Sequence, residues 1–531
     1  MKRMMTTLLL SGFLMGVSLC PNSSLAQKND FPRKEALFLN AEDTVLLHDF
    51  AKQNLPPVVE ATLKNGMRVL LLEKHSSPTI SFHIMFRVGS VDESLGKTGL
   101  AHMFEHMIFK GTKSINSKNY DREKPALDAV EKAAQELLRE QAKGSQANPQ
   151  KLASLKKNLE RQEAAADRWI AHDEYEKFYE EQGGANLNAY TGEDRTAYLV
   201  SLPSNRLETW MRLESDRFKN PVLREFYRER NVVMEERRMR TDSNPQGKLW
   251  EALITTAFQV HPYRNDIIGW MGDLENMSLT DAENFFRDFY APNNAVAVLV
   301  GDLNPQKTLA LFKKHFETIP ARPLKTHYIT EEPPQEGEKR VSIEFEAEPQ
   351  IMMAFHKPNL PHPDDTVFQF IKALLSDGRT SRLYKNLVEG KKIALSASAD
   401  SSGVGERYPN LFVVYGAPRH PHTASDWEKG VLGELEKLKK ELPTTREMDK
   451  IRNQLTTELV TSLESNDQMA RKLAYYQTIA GNWRYPWELQ KRFGEISAQD
   501  IQRVAQTYLL DHNRTTAVLV PQKAPAEGEK P

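Results

Sequence analysis

The pentad His102-Met103-Phe104-Glu105-His106 limits what this chain can fold into more than any other feature of its sequence. Two histidines four residues apart lie one above the other on one face of an α-helix. Leu100, Phe104, Met107 and Ile108 recur at helical spacing, so the sequence predicts a helix with an apolar face directed towards a core. Histidine nitrogens bind zinc readily, and at this spacing both imidazoles can reach one ion.

Glu105 adjoins the two histidines on the same helix surface, close enough to act as a general base on a metal-bound water. We therefore predict a zinc site at His102 and His106. The alternative is an ordinary surface helix on which two histidines and a glutamate coincide. A catalytic zinc site takes a third protein ligand and leaves its fourth position open, so the site needs one more ligand from elsewhere in the chain.

A second predicted helix, downstream of the pentad, supplies that ligand. Glu229 and Glu236 are seven residues apart and share a face, whereas Glu235 is turned about 100° away. Val232 and Val233 lie on or beside the shared face, so we expect it to point inward, where a glutamate needs a partner such as a metal. We predict Glu236 as the third ligand and Glu229 as a carboxylate that orients a ligand histidine. The alternatives are a salt bridge between Glu229 and a neighbouring arginine, and a solvated or arginine-paired Glu235.

With residues 107–112, the pentad resembles the M16 peptidase family, the pitrilysin and mitochondrial-processing-peptidase group, whose metal motif has the order H-x-x-E-H. The resemblance covers nearly the whole predicted mature chain. It implies an α+β fold of two homologous halves, each a mixed β-sheet packed with helices on one side, which form a clam-like peptidase around an extended peptide. Further stretches that carry it are 183–191, 229–236, 261–263 and 293–301.

The resemblance also implies roles for single residues. His102, His106 and Glu236 would bind one Zn²⁺ per chain, Glu105 would be the general base, and Glu229 matches the accessory glutamate of the family. The implied activity is zinc-dependent hydrolysis of peptides or small unfolded polypeptides, with Glu105 activating a zinc-bound water.

A peptide substrate would add as a strand to the edge of a β-sheet, where backbone hydrogen bonds give affinity. By resemblance, that edge is near four consecutive residues, Asn188, Ala189, Tyr190 and Thr191. The alternative is a plain core strand beside the site, because an internal strand pairs its backbone in the same way.

The second half departs from the family in its catalytic residues. Active members usually carry an arginine and a tyrosine, seven residues apart, that hold the substrate carbonyl and its developing oxyanion. The corresponding residues here are Val388 and Leu395, which cannot donate a strong hydrogen bond, although Lys391 or Lys392 could substitute. In some bacterial relatives one subunit carries the zinc site and another the Arg/Tyr pair.

We therefore expect a homo- or hetero-oligomer in which this chain is the zinc-bearing subunit and a second M16-like subunit supplies the pair. Two alternatives belong to other functional classes, a non-catalytic assembly subunit and a peptide-binding module. The intact pentad and Glu236 argue against the first, because a structural subunit has no need of Glu105, and substitution of Glu105 would distinguish the second, because a pure binder would be unaffected.

The chain divides into a series of predicted segments. Residues 116–175 are predicted as a helical hairpin inserted in the first half, either a charged spur without function or an arm that docks a partner. Residues 278–300 recur as residues 497–520 with a one-residue slip, which supports a duplication. The segments are a signal peptide (1–26), an N-terminal extension (27–56), a zinc-bearing domain (57–325), a linker (326–339), a second domain without the Arg/Tyr pair (340–524) and a tail (525–531).

The N-terminus predicts secretion. Lys2 and Arg3 precede an apolar run over 8–19, and Ala26 ends a small-residue cleavage site. We expect export across the inner membrane to a bacterial periplasm, with an extracellular location as the alternative. Lipid attachment at Cys20 is disfavoured because the residue before it is a bulky leucine. Cleavage after Ala26 leaves no cysteine, so zinc would depend on histidine and carboxylate ligands. No later segment could span a membrane, and a net charge of −1 gives no general attraction to nucleic acid.

Overall fold

A computed structural model of the chain describes residues 55–325 and 328–522. The predicted signal peptide, most of the N-terminal extension and the C-terminal tail lie outside the described residues, as do residues 326 and 327 of the predicted linker. The rest of that linker, up to residue 338, contains neither helix nor strand and is mostly exposed.

The strands among the described residues form two mixed sheets. The first contains β1 (Val59–Thr62), β2 (Arg68–Glu73), β3 (Thr79–Phe86), β4 (Ala185–Thr191), β5 (Thr196–Pro203) and β6 (Ala295–Gly301), in the order β1-β2-β6-β3-β5-β4. The second contains β7 (Lys339–Phe345), β8 (Gln350–Lys357), β9 (Ala394–Asp400), β10 (Asn410–Pro418) and β11 (Arg514–Pro521), in the order β7-β11-β8-β10-β9. The pairs β2–β6 and β7–β11 are parallel, and all other neighbours are antiparallel.

Helices connect and cover these sheets. In the first half they are α1 (Leu100–Met107), α2 (Tyr120–Gln141), α3 (Pro149–Asp167), α4 (Glu174–Glu181), α5 (Leu207–Lys219), α6 (Phe226–Arg237), α7 (Pro245–Ala257), α8 (Met271–Glu275), α9 (Leu279–Phe289) and α10 (Pro305–Phe316). In the second half they are α11 (Pro363–Ser376), α12 (Ala424–Lys440), α13 (Thr445–Thr461), α14 (Asn466–Ile479), α15 (Tyr485–Glu495) and α16 (Ala498–Tyr508). Within the described ranges no helix is long and apolar enough to cross a bilayer.

Helices α2 and α3 pack against each other as a hairpin within residues 116–175, where helical spacing of apolar residues led us to expect one. The two helices contribute few buried residues to the core of the first half, among them Ala134, Leu137 and Leu159. The seam is therefore narrow, and most of the hairpin surface is polar or partly exposed.

The two halves repeat one topology, which confirms the predicted α+β fold of homologous halves. The strand order β2-β6-β3-β5-β4 of the first sheet matches the whole order of the second sheet, with the same parallel and antiparallel pairs. Ser278 and Ser497 each cap a helix in a capping box, and Asn294 and Asn513 each donate to a carbonyl in the last turn of that helix. The spacing from serine to asparagine to the start of the strand is the same in both halves, and β11 is one residue longer than β6, in agreement with the one-residue slip.

Each sheet is covered on both faces, and the expectation of helices on one side only was wrong. One face of each sheet packs on helices of its own half. The opposite face of the first sheet is covered by α14, which contributes Met469 and Leu473 from the second half. In return, α7 of the first half covers the second sheet with Leu249 and Leu253. This exchange of helices buries apolar surface from both halves in shared cores.

The turn after β4 is also held by the second half. Asp194, between β4 and β5, is fully buried and accepts hydrogen bonds from the Tyr263 hydroxyl (2.7 Å) and the Arg407 backbone N–H (3.0 Å). The Arg407 guanidinium pairs with Asp92 at 2.7 Å. A buried carboxylate with several donors is costly to displace, so this junction fixes the end of β4.

Candidate metal centre

Helix α1 carries the pentad, and its ends are defined locally. Gly99 precedes the helix at φ 88°, a left-handed conformation that favours glycine. The buried Glu93 carboxylate accepts hydrogen bonds from the backbone N–H groups of Gly99 (2.8 Å) and Ala101 (2.7 Å), which would otherwise lack partners at the start of a helix. Glu93 was missed from the sequence, because it lies outside the usual capping positions. A 3₁₀ turn follows α1 and ends at Gly111, at φ 93°.

Helices α1 and α6 bring three possible metal ligands together. The Nε2 atoms of His102 and His106 lie 3.8 Å and 3.6 Å from Oε2 of Glu236, and the ligand atoms of the three residues all lie within 4.8 Å of one another. Zinc bonds of about 2.0–2.2 Å place the ligands of a tetrahedral site roughly 3.3–3.5 Å apart. The two histidine–glutamate distances exceed this spacing by only a few tenths of an ångström, so two imidazoles and a carboxylate here fit zinc.

Glu229 controls the protonation of one ligand histidine. Its Oε1 lies 2.8 Å from Nδ1 of His106, and its Oε2 lies 2.7 Å from the Lys110 ammonium. Burial opposes ionisation, but the bond to His106 and the charge of Lys110 lower the pKa of Glu229 to about 2. Glu229 is therefore an ionised acceptor for Nδ1 of His106, which leaves Nε2 as the ring nitrogen directed towards Glu236.

Electrostatics differ between the two histidines. Burial lowers the pKa of His102 well below its usual value, and the charges of His106 and Arg240 act in the same direction. Burial also acts to lower the pKa of His106, but the bond to Glu229 and the nearby carboxylates raise it overall. His102 is thus held neutral, the form that binds metal. Its Nδ1 is buried and has no hydrogen-bond partner among the described residues.

Glu105 is held by the end of strand β4. Its Oε2 accepts a hydrogen bond from the Thr191 hydroxyl at 2.6 Å. Burial raises the pKa of Glu105, and the bond from Thr191 opposes that effect. A carboxylate with a raised pKa is a stronger base, which suits removal of a proton from water. The sequence placed Thr191 only on a substrate edge and gave no sign of its contact with Glu105.

Strand β4 lies at the edge of the first sheet, so the alternative of an internal core strand was wrong. Its backbone pairs with β5 on one side and with no strand of the described residues on the other. Ala189 packs towards the core that contains α1, whereas Tyr190 packs on the opposite face of the sheet, with apolar residues of α14. Asn188 is exposed, and its side chain bonds to the following backbone N–H. The four predicted residues thus lie on a free edge beside Glu105.

Helix α6 turns the face that carries Glu229 and Glu236 inward, as expected, since their side chains are only 14% and 15% exposed. Of the two valines that marked this face, Val233 is fully buried, whereas Val232 beside it is 48% exposed. Glu235 is exposed and pairs with Arg238 at 2.8 Å, as one of the alternatives held. The neighbouring arginine proposed as a partner for Glu229 is replaced by Lys110.

The two positions of the expected Arg/Tyr pair lie in the second half. Val388 is part of a π-helical segment, Tyr384–Gly390, and packs against the hydrophobic core of the second half. Leu395 lies in β9, the edge strand of the second sheet, with its side chain 58% exposed. Neither side chain has a hydrogen-bond donor.

Comparisons with known proteins agree with the fold. A family model described as Insulinase (Peptidase family M16) matches residues 68–136 and 165–270, and one described as Peptidase M16 inactive domain matches residues 276–455. The break between 136 and 165 falls inside the α2–α3 hairpin. The zinc protease PqqE of Helicobacter pylori is 30% identical over 479 residues, which cover 89% of this chain and 94% of that protein.

Solved structures show the same fold. A protease from Helicobacter pylori superposes with a TM-score of 0.73 at 28% identity, over 88% of this chain and all of that one. The first half of the periplasmic protease PqqL from Escherichia coli gives 0.64 at 18% identity, with 88% and 93% coverage. Against the whole PqqL chain the coverage is 87% of this chain and 47% of that one, at a TM-score of 0.65 and 17% identity. The chain therefore matches about half the length of PqqL.

Proposed function

This chain belongs to the M16 peptidase family, and on that premise we propose that it is a zinc-dependent endopeptidase that cleaves peptides or small unfolded polypeptides. The observation that carries the proposal is the meeting of His102, His106 and Glu236 within 4.8 Å, with Glu105 beside them on the same helix. The similarity to proteins named zinc proteases supports it. One Zn²⁺ per chain is part of the proposal.

His102, His106 and Glu236 would hold the metal, which supplies Lewis-acid polarisation of the scissile carbonyl and lowers the pKa of water. Glu229 holds the His106 ring in the orientation and tautomer that aim Nε2 at the site. Glu105 removes a proton from the attacking water and returns it to the leaving amine. Thr191 fixes one oxygen of Glu105, so that the other is directed to the water.

The substrate would bind as an extra strand on β4. The unpaired edge from Asn188 to Thr191 runs past Glu105, and backbone pairing there would hold a peptide bond next to the base. Such pairing depends little on the side chains of the substrate. It requires an extended segment, which unfolded polypeptides and peptides offer and compact proteins do not.

A second M16-like unit would complete the site. Val388 and Leu395 leave this chain without the donors that hold the developing oxyanion in the family. The fold occupies only about half of the PqqL chain, so a related protein contains room for two such units. We propose that a second copy or a different M16-like subunit faces the zinc site. The alternative function is a non-catalytic assembly or peptide-binding subunit. The match of residues 276–455 to a family model described as an inactive domain supports this alternative.

We also propose that the chain is exported to the periplasm. The proposal rests on the signal-peptide pattern at the N-terminus, which lies outside the described residues. Detection of the processed chain in a periplasmic fraction would test it, and retention of the whole unprocessed chain in the cytoplasm would contradict it.

The test of activity is hydrolysis of a mixed set of quenched-fluorescence peptides by the purified, zinc-loaded chain. Glu105→Gln should reduce turnover about 100- to 10,000-fold, because the amide cannot take a proton. Glu235→Gln is the matched control, since Glu235 is exposed and paired with Arg238. Equal cleavage by the Glu105 variant would contradict the proposal. If the chain alone cleaves no peptide but does so when a second M16-like subunit is added, the result would support the two-unit site. If no peptide is cleaved in either case, the result would favour the non-catalytic alternative.

A further inference from the structure

Arg240 lies next to the candidate metal centre although it belongs to none of the motifs. Its Nη1 atom is 2.8 Å from Oε1 of Glu236, while Oε2 of Glu236 faces the two histidines. The two oxygens of this carboxylate therefore have separate partners. Without the arginine, the Glu236 side chain could rotate and present either oxygen, or both, to an ion.

The backbone around Arg240 is unusual and firmly held. Helix α6 continues directly into a π-helical turn, Arg238–Asp242, closed by a hydrogen bond from the Ser243 N–H to the Arg238 carbonyl at 2.7 Å. Such turns inside helices are often found at functional sites. A Cβ atom at Gly247 would lie 2.1 Å from the Arg240 carbonyl oxygen, so only glycine allows this close approach.

Ion pairs anchor both ends of the turn. Before it, the buried Arg237 guanidinium binds Glu251 and the Gly269 carbonyl, each at 2.6 Å. At its end, Asp242 pairs with Lys248 at 3.0 Å. The turn is thereby fixed to α7, and the direction of the Arg240 side chain follows from a rigid backbone.

We infer that Arg240 is a positioning residue that holds Oε1 of Glu236 and leaves Oε2 as a single ligand atom for zinc. This rests on the proposed zinc site and adds a residue to it. Stability does not account for the pair: the Arg240 side chain is 54% exposed, and exposed ion pairs contribute about 0–1 kcal/mol. Residues that orient a metal ligand typically change metal affinity about 10- to 100-fold.

The sign of the effect separates positioning from plain electrostatics. A guanidinium close to a metal site repels a divalent cation, so an arginine without a positioning role should weaken zinc binding. Removing it would then tighten binding. Removing a residue that positions Glu236 should instead weaken binding, because the carboxylate loses its fixed orientation.

The same turn offers a matched control. Arg238 is 48% exposed and pairs at 2.8 Å with Glu235, a geometry like that of Arg240 and Glu236. Glu235 is turned away from the histidines, so the two pairs differ chiefly in whether the glutamate faces the metal. Substitution of each arginine by methionine keeps a long side chain and removes the charge and the hydrogen bonds.

The experiment measures the dissociation constant for Zn²⁺ by competition with a chromophoric chelator, together with the melting temperature of the metal-free chain. Arg240→Met should weaken Zn²⁺ binding about 10-fold, Arg240→Lys should recover part of the loss, and Arg238→Met should stay within about 2-fold of the wild type. All should melt at nearly the same temperature. Unchanged or tighter binding in Arg240→Met would overturn the inference, and so would an equal loss in Arg238→Met.

The affinity for Zn²⁺ is measured without substrate, so the positioning role of Arg240 and the proposed peptidase activity can fail separately. If no peptide is cleaved but Arg240→Met still loses affinity, the positioning role stands without the peptidase. If peptides are cleaved and both methionine variants bind Zn²⁺ alike, only the positioning role fails. Should Arg240→Met not fold, Arg240→Lys and Arg240→Gln carry the same comparison, with the greater loss expected in Arg240→Gln.

Discussion

Thr191→Val should shift the pH dependence of catalysis, because the Thr191 hydroxyl bonds to the general base. It donates to Oε2 of Glu105 at 2.6 Å and lowers the pKa of that carboxyl, against the burial that raises it. Valine has nearly the same shape but no hydroxyl, so the pKa of Glu105 should rise. Glu105 works deprotonated, and activity is lost as the pH falls through its pKa. The acid limb should therefore move to higher pH.

The size of the shift follows from the strength of the bond. A hydrogen bond to a charged group contributes about 1.5–3 kcal/mol, and about 1.4 kcal/mol corresponds to one pKa unit. Thr191 is partly exposed, so water can replace some of the lost bond, and we expect a shift of about one unit. On the acid limb kcat/KM should fall about 10-fold, whereas at high pH the variant and the wild type should agree within about 2-fold.

The assay is the pH profile of kcat/KM for one peptide at saturating zinc, with the metal content of each variant measured alongside. Thr191→Ser keeps the hydroxyl and should reproduce the wild-type profile. A Thr191→Val profile that coincides with the wild type would refute the reasoning, since it would mean that the contact does not act on the base. A uniform loss at every pH would point instead to a lost orientation of Glu105 or to disturbed substrate binding at the β4 edge.

Two further predictions concern Glu229 and the packing of the two halves against each other. Glu229→Gln removes the ionised acceptor of His106, so Zn²⁺ affinity measured by chelator competition should fall roughly 10- to 100-fold, and an unchanged affinity would show that the ring is fixed by packing alone. Leu473→Ala, on the helix that the second half lends to the first sheet, should lower the free energy of unfolding by about 2–5 kcal/mol in urea titrations. Both sheets should unfold in one transition, because the exchanged helices share their cores, and two separate transitions would contradict the shared packing.

Much of the site could be predicted from local spacing. The positions of His102 and His106 on one helix face, and of Glu229 and Glu236 on another, depend only on helix geometry. Glu235 was set apart from Glu236 for the same reason and indeed faces solvent. The inward direction of the face with Glu229 and Glu236 was also predicted, although Val232 beside it is exposed, because two adjacent valines do not specify how wide the buried stripe of a helix is.

Contacts between distant segments could not be predicted. His106 and Glu229 are 123 positions apart, and Thr191 and Glu105 are 86 apart. The ion pair between Arg240 and Glu236 is local in sequence, but it depends on a π-helical turn whose position is fixed by contacts with α7. The amino-acid sequence does not indicate which carboxylate oxygen an arginine will bind.

The sequence by itself determined the elements and their repetition: the pentad helix, the helix-to-strand unit that recurs in both halves, and the strands. It determined these because backbone geometry and side-chain periodicity act over a few residues. The tertiary structure decided which surfaces meet. The sequence led us to expect helices on one side of each sheet, and only the structure shows that the exchange of α7 and α14 between the halves covers the opposite faces. The metal centre is likewise a product of packing, since the residues of α1, α6 and the end of β4 that form it meet only in the folded first half.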